Sequence, residues 1–321
     1  MSSRRSSEVK AEALRLGFFA CGIAKAVPVD KDVATRFRQW IRNGSHADMQ
    51  YMANHTDARL DPRLLMEGVK SIVCVAMNYT PAHRLSDNGY ELSAYVYGKD
   101  YHDVMKVRLH TLAARLGFTR YRAFCDTAPV LERYWAVKAG LGWTGKHHQL
   151  IIPGAGSMFF LGELFTDEVF DYDSPVAGRC GRCTRCIEAC PTGVLGTTFN
   201  CVKCLSYQTI ENRNELSPEA ARHMGNTIYG CDRCLQACPW LRTASPTTIP
   251  EFAPTEKLLS MTKERWHHLT EEDYRYLFKG SAVKRAKYTG LMRNIQAVRE
   301  NNQDCDIDTT PDSPNIPSQH E

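Results

Sequence analysis

Nine of the chain's thirteen cysteines fall between Cys180 and Cys238. In a reducing compartment so dense a block points to metal rather than disulfides. The first run is Cys180-x2-Cys183-x2-Cys186-x3-Cys190-Pro191. This is the bacterial ferredoxin spacing for [4Fe–4S] clusters, in which the fourth cysteine of a run ligates the other cluster of a pair. A second run, Cys231-x2-Cys234-x3-Cys238-Pro239, lacks one cysteine, which Cys204 or Cys201 can supply. Crossing the runs gives cluster 1 Cys180, Cys183, Cys186 and Cys238. Cluster 2 takes Cys190, Cys231, Cys234 and one of the two upstream cysteines. Zinc also binds paired Cys-x2-Cys units, but it does not require the x3-Cys-Pro ending twice. Four-cysteine ligation leaves no iron open to substrate, so such clusters pass electrons to something held elsewhere in the chain.

The elements that must hold it lie mostly upstream. With 321 residues, 43% hydrophobic and 24% charged, the chain has material for two domains, or one core with a satellite. No run of about 18 apolar residues occurs, which excludes a transmembrane helix. Met1–Lys10 has no apolar stretch behind it, so no secretory signal is expected and the location is expected to be cytoplasmic. The net charge is +4, yet the last 21 residues carry five acids and no Lys or Arg. The rest is therefore more basic than the total shows, which suits a polyanionic partner.

Apolar periodicity predicts helices over 7–17, from an Asp30 cap to Asn43-Gly44, and over 101–116 with Val104, Val107, Leu109, Leu112 and Leu116 inward. Buried strands are predicted over 71–79, 121–125 and 157–165. Pro129 is placed at the first position of a helix ending near Gly140. From 260 to 300 the pattern is helical and basic. Intermixed strands and helices before the cysteine block indicate an α/β or α+β domain.

Ordered motifs over about residues 8–298 resemble the epoxyqueuosine reductases: Tyr97-Gly98-Lys99-Asp100-Tyr101-His102, Asp126-Thr127-Ala128-Pro129 through Arg133, Ala139-Gly140-Leu141-Gly142-Trp143-Thr144-Gly145-Lys146, Leu161-Gly162-Glu163-Leu164, Cys204-Leu205-Ser206-Tyr207, Gly230-Cys231-Asp232 and Gly280-Ser281-Ala282. The resemblance implies an α+β fold: a nitroreductase-like cobalamin-binding catalytic domain (1–172), a ferredoxin-like two-[4Fe–4S] domain (173–245) and a basic helical segment (246–300). An acidic, disordered tail (301–321) is read from composition. The C-terminal helical repeats common in the family are largely absent. The resemblance also selects Cys204 over Cys201 for cluster 2.

The implied reaction reduces epoxyqueuosine to queuosine at the wobble position of tRNA, the last step of queuosine biosynthesis, using base-off cobalamin. It consumes two electrons and two protons. Opening the epoxide makes an alkoxide, which calls for a general acid. By resemblance that acid is Asp126, expected to be neutral through burial against corrin and apolar walls; the competing reading is a helix cap. Asp100 and Tyr101, with His102, form a second polar group for substrate contact or proton relay. The implied cobalamin contacts are Met49, Asp126, Leu150, Ser157, Phe160, Glu163, Ser206 and Arg213, although Leu150 and Phe160 also read as core. His147 and His148 are not taken as cobalt ligands. The tRNA surface is assigned to Lys284, Arg285, Lys287 and Arg293, with Lys263 and Arg265 as outer candidates. The expected electron donor is of the flavodoxin or ferredoxin type, and a monomer is expected. Three other readings compete: a reductive dehalogenase, a plain electron carrier, and a tRNA-binding module with structural clusters.

Overall fold

A computed structural model describes residues 2–85, 89–196 and 198–307. Two long, almost wholly buried strands organise it: β2 (Ser71–Asn78) and β7 (Phe159–Thr166). Their apolar, partly β-branched sequences have both faces covered. They lie side by side and antiparallel, with Cys74 opposite Glu163. β1 (Ala20–Lys25) flanks β2, and β4 (Tyr121–Phe124) flanks β7, so the sheet order is β1-β2-β7-β4 with every pair antiparallel. Two small sheets complete the set. β3 (Glu91–Leu92) pairs with β8 (Thr227–Tyr229) in parallel, and β5 (Trp143–Thr144) forms a ladder with β6 (Leu150–Ile151).

Helices cover both sheet faces. The helices used below are α1 (Ser2–Arg15), α2 (Lys31–Arg42), α3 (Tyr101–Arg115), α4 (Glu132–Lys138), α5 (Leu205–Ile210) and α6 (Lys287–Ile307). α3 buries Val104, Met105, Leu109, Leu112 and Ala113 on one face, whereas Val107 is 65% exposed. The 3.6-residue period carries Val107 round to solvent. α4 starts three residues later than Pro129 would set it, leaving 126–131 as a loop. α6 runs through residue 307, so the first part of the expected disordered tail is helical; the remainder lies outside the described residues. Asp30 does precede α2, but its carboxylate pairs with Lys138 Nζ (3.0 Å) and makes no cap bond.

The cysteine-rich segment is not set apart from the sheet domain. One apolar cluster joins Val9 of α1, Leu109 of α3, Leu164 of β7, Leu235 beside Cys234, and Val298 of α6. The β3–β8 pairing and an edge-to-face contact of Trp143 with Trp240 (5.0 Å) tie the expected domains across their boundary.

Candidate functional site

Four of the cysteines surround one space. Cys180, Cys183, Cys186 and Cys238 line a cavity of about 300 Å³ together with Lys146, His147, Ile151 and Trp240. Among the described residues no three Cys, His, Asp or Glu side chains close on one point as a single-ion site does; these four ring a volume instead. The Trp143 indole N–H is buried with no partner among the described residues, in the same apolar cluster as Cys180 and Cys238. Hydrogen bonds to cluster sulfurs are a known tuning device. Lys146 braces the site, its Nζ donating to the carbonyls of Gly181 and Cys183, both at 2.9 Å.

The second set is equally grouped. Cys234 lies within electrostatic reach of Cys231, Cys204 and Cys190, and Cys204 within reach of Cys190. Burial raises the Cys204, Cys231 and Cys234 thiols, Cys231 to about 11, so their ionisation calls for a cation among them. Cys201 is different. It is buried, its N–H donates to the Ser45 carbonyl (2.9 Å), and its charged neighbours are Cys204 and Arg133.

A polar constellation is built at the N-terminus of α3 and the loop after β4. Asp100 caps α3 by accepting the His102 N–H (3.2 Å). The same Oδ1 lies 2.6 Å from His102 Nδ1, and Oδ2 lies 3.3 Å from Lys284 Nζ. On the far side of the ring, His102 Nε2 is 3.1 Å from Asp126 Oδ2, which also accepts the Tyr101 hydroxyl proton at 2.7 Å. Tyr101 is fixed by stacking on Phe160, with centroids 4.3 Å apart. Asp126 has φ +57°, left-handed and uncommon outside glycine. Its N–H donates to the Glu132 carboxylate. The six-residue reach from loop to helix start holds the turn, and Asp126 does not cap α4.

The electrostatics of this group follow from those contacts. Burial lowers the His102 imidazole, but the two carboxylates outweigh it and bring its pKa up to about 9. Asp100 is pushed up by burial and down further by His102, to about 2. Burial pushes Asp126 up as well, yet bonds from His102 and Tyr101 leave it below the usual carboxylate range. This arrangement favours the carboxylate form of Asp126; the neutral form is the one expected with the residue buried against a corrin and apolar walls. At neutral pH the proton sits on His102, between two carboxylates.

The Asp126 side chain is 59% exposed. Tyr51, 45% exposed, senses the charges of Asp126, Cys201, Glu211 and Arg285. Met49 and Ser206 are both half-buried: Met49 directly precedes Gln50, and Ser206 lies in the first turn of α5. Tyr51, Met49, Ser206 and Asp126 offer aromatic, thioether, hydroxyl and carboxylate groups, a chemistry compatible with a large, mostly apolar ring. His147 is no ligand to such a ring, since its nitrogens meet the Gln149 N–H (3.1 Å) and the Ser157 hydroxyl (3.3 Å).

Other expected contacts belong to the interior. Glu163 is 0% exposed and neither of its carboxyl oxygens has a partner among the described residues; it lines no ligand surface. Leu150 and Phe160 are core residues, and Ser157 is buried against His147. Arg213 spans the carbonyls of Ile210 (2.8 Å) and Arg285 (2.7 Å), which is a structural clasp. The expected tRNA cations divide similarly. Arg293 donates to the carbonyls of Asn212 (3.0 Å), Asn214 and Gln208 (2.8 Å), so it braces the turn after α5 and is not a phosphate contact. Arg285 forms a two-pronged pair with Glu211 at 2.8 and 2.7 Å. Lys284 faces Asp100, and Lys287 is exposed. Of the outer candidates, Arg265 donates to Ser260 at 2.9 Å. The sequence reading missed Glu132 as a site residue; an acid in the first turn of a helix is ordinary, and nothing local marks its reach back to Asp126.

Comparison with known proteins gives a consistent picture. A family model described as epoxyqueuosine reductase QueG, DUF1730, matches residues 59–127, and one described as a 4Fe-4S double cluster binding domain matches residues 179–241. An epoxyqueuosine reductase of Cellulophaga algicola is 44% identical over 92% of this chain and 98% of its own length. A crystal structure of epoxyqueuosine reductase with a tRNA-Tyr epoxyqueuosine-modified stem loop superposes with TM-score 0.86 at 25% identity, covering 94% of this chain and 83% of that one. A Bacillus subtilis epoxyqueuosine reductase, solved with its catalytic aspartate loop swung out of the active site, gives TM-score 0.84 at 25% identity, covering 94% and 83%.

Proposed function

The chain belongs to the epoxyqueuosine reductase family, and on that premise we propose that it reduces epoxyqueuosine in tRNA to queuosine, with the Asp100–His102–Asp126–Tyr101 constellation supplying the proton. The observation that carries this reading is the His102 ring held between the Asp100 and Asp126 carboxylates, with the Asp126 side chain exposed. Cys180, Cys183, Cys186 and Cys238 would hold one [4Fe–4S] cluster, and Cys190, Cys204, Cys231 and Cys234 the other. Met49, Tyr51, Asp126 and Ser206 would line a cobalamin in its base-off form. When bound, these groups supply single electrons and a strongly reducing nucleophile for an epoxide carbon.

The protein's own part is proton delivery. A ligand seated over the exposed Asp126 side chain removes water from it, and an ionised carboxylate loses more by desolvation than a neutral one. The proton then moves from His102 Nε2 to Asp126 Oδ2 along the 3.1 Å contact. Asp126 passes it to the alkoxide, while Asp100 holds the ring in place. Tyr101, pushed well above its ordinary range by burial and by Asp126, stays protonated as a hydrogen-bond donor. The relative's displaced loop motivates a further element of the proposal: residues 125–131 carry Asp126 in and out, and the left-handed turn at Asp126 is the engaged form. tRNA phosphates would meet the exposed Lys287. Electrons would come from a low-potential flavodoxin or ferredoxin type of donor, with the protein acting as a monomer in the cytoplasm.

The test is anaerobic reconstitution with cobalamin, a low-potential reductant and epoxyqueuosine-containing tRNA, followed by nucleoside analysis. Queuosine is the expected product. Intact epoxyqueuosine beside a fully loaded enzyme would overturn the reading. A protein that takes up iron and sulfide but no cobalamin would instead be an electron carrier.

A further inference from the structure

Each of the first three cysteines of the block is preceded by an arginine: Arg179-Cys180, Arg182-Cys183 and Arg185-Cys186. Adjacent Cα atoms stand about 3.8 Å apart, so each guanidinium is tethered one residue from a sulfur of the cluster 1 cavity. All three arginines are exposed, and Arg179 also lines that cavity. Cys180 and Cys183 are only half-buried, so this end of the cavity lies close to the surface that carries the cations.

These charges are uncommitted. None of the three side chains has a hydrogen bond or ion pair among the described residues. Between Ser174 and Asn200 there is one acid, Glu188, and its carboxylate accepts the Thr184 hydroxyl proton at 2.5 Å. The second run supplies the contrast. Arg233 stands before Cys234 as Arg182 stands before Cys183, but it donates to the carbonyls of His223 (2.9 Å) and Met224 (2.5 Å). Asp232, in the place of Gly181, accepts the Ala94 N–H at 2.7 Å. The arginine of the second run ties the fold together, while those of the first face solvent. Like charges crowded on one short segment repel each other, and a partner of opposite sign relieves the repulsion.

Resting on the functional reading above, we propose that Arg179, Arg182 and Arg185 form the docking face for the electron donor, an acidic protein that carries a one-electron group close to its own surface. Cys204 is two residues from Ser206 of the proposed cobalamin lining, so the second cysteine set stands on the cobalamin side and the first is the outer end of the pair. Electron transfer falls off steeply with distance, so a donor has to approach that outer end. Opposite charge steers and orients the encounter over a small interface of the kind that weak redox pairs use. Each encounter oxidises the donor by one electron and reduces cluster 1 by one. No bond forms or breaks, and two encounters supply the two electrons that the reaction uses. tRNA is also a polyanion, but it has to present its base at Asp126, and the exposed Lys287 is there for its phosphates.

The test uses the cluster- and cobalamin-loaded enzyme, with a reduced acidic flavodoxin as the probe. Stopped-flow absorbance reads the rate at which the clusters bleach. Wild type is expected to slow as salt rises, since the reach of exposed charges shrinks to about 8 Å at physiological ionic strength. Arg182→Gln with Arg185→Gln should lower the rate at low salt about 10-fold or more and flatten its salt dependence. Charge reversal, Arg182→Glu with Arg185→Glu, should lower it further. Reduced methyl viologen, a small cation, is the control, and its rate should not fall in either variant. An equal fall with both reductants overturns the proposal. A wild-type flavodoxin rate that ignores salt overturns it even if the variants misfold, as does a double variant that flavodoxin reduces as fast as wild type. A double variant that keeps the flavodoxin rate but binds tRNA more weakly would show a nucleic-acid face instead. Wild type with the expected salt dependence that makes no queuosine would refute the functional reading and leave the docking face standing.

Discussion

At the scale of single residues, the site turns on where one proton rests. Asp126 accepts two hydrogen bonds on Oδ2, and this keeps it ionised while His102 holds the charge. Replacing Asp126 with Asn should leave iron content and cobalamin binding intact and lower turnover by about 100-fold or more; wild-type rates would remove it from the mechanism. His102 gives an independent check by NMR. Its ring should titrate near 9 rather than at its ordinary 6.5, and Asp100→Asn should bring the midpoint down towards 6.5. The sign follows from linkage. A histidine raised on folding stabilises the protein fully below 6.5, and that stabilisation is lost as pH rises through about 9. Asp100, lowered to about 2, contributes above its ordinary 3.8 and is lost as pH falls through about 2. The sequence made Asp126, Asp100 and Tyr101 visible as polar residues at loop and helix starts. It could not show which of them is charged, because that depends on contacts between residues 24 and 25 positions apart.

At the scale of elements, strong apolar runs were legible and weak ones were not. β2 and β7 stand close to where their β-branched and aromatic runs place them. β1 was invisible because Ala20–Lys25 contains a single β-branched residue and an interior glycine. That glycine has a packing reason: a Cβ on Gly22 would run into the carbonyl of Ala139 at the end of α4. The β5–β6 hairpin has a related constraint, since a Cβ on Gly142 would strike the Ile151 carbonyl. This hairpin delivers Lys146 to the loop of the first cysteine run. Two hydrogen bonds from an ammonium to carbonyls are worth about 1–3 kcal/mol after exposure is allowed for. Lys146→Met should therefore weaken cluster 1 selectively. Iron analysis and electron paramagnetic resonance should show cluster 2 retained after mild chelation, whereas equal loss of both clusters would count against the brace.

At the scale of the whole molecule, the cysteine segment and the sheet domain share one core. Composition and cysteine spacing suggested separable parts because each carries its own signature; the joins are the two-residue strand β3, a Trp–Trp contact and scattered apolar residues, which leave no periodic trace. The same mixing governs the basic charge. A count of Lys and Arg near the C-terminus suggests a phosphate-binding face, but side chains already committed to carbonyls or carboxylates are not free to bind phosphate. Arg293 has three carbonyl partners and Arg285 a two-pronged carboxylate, while Lys287 is exposed. Two variants separate these roles. Lys287→Ala should weaken tRNA binding at low salt and reduce the slope of log affinity against log salt by about 0.7–0.9, the share of one phosphate contact, with thermal stability unchanged. Arg293→Ala should leave the slope intact and lower the melting temperature, because it strands three carbonyls around the turn after α5. Binding isotherms at several salt concentrations, beside thermal melts, measure both. A salt slope reduced by Arg293→Ala and untouched by Lys287→Ala would show that the phosphate face lies on the braced residue after all.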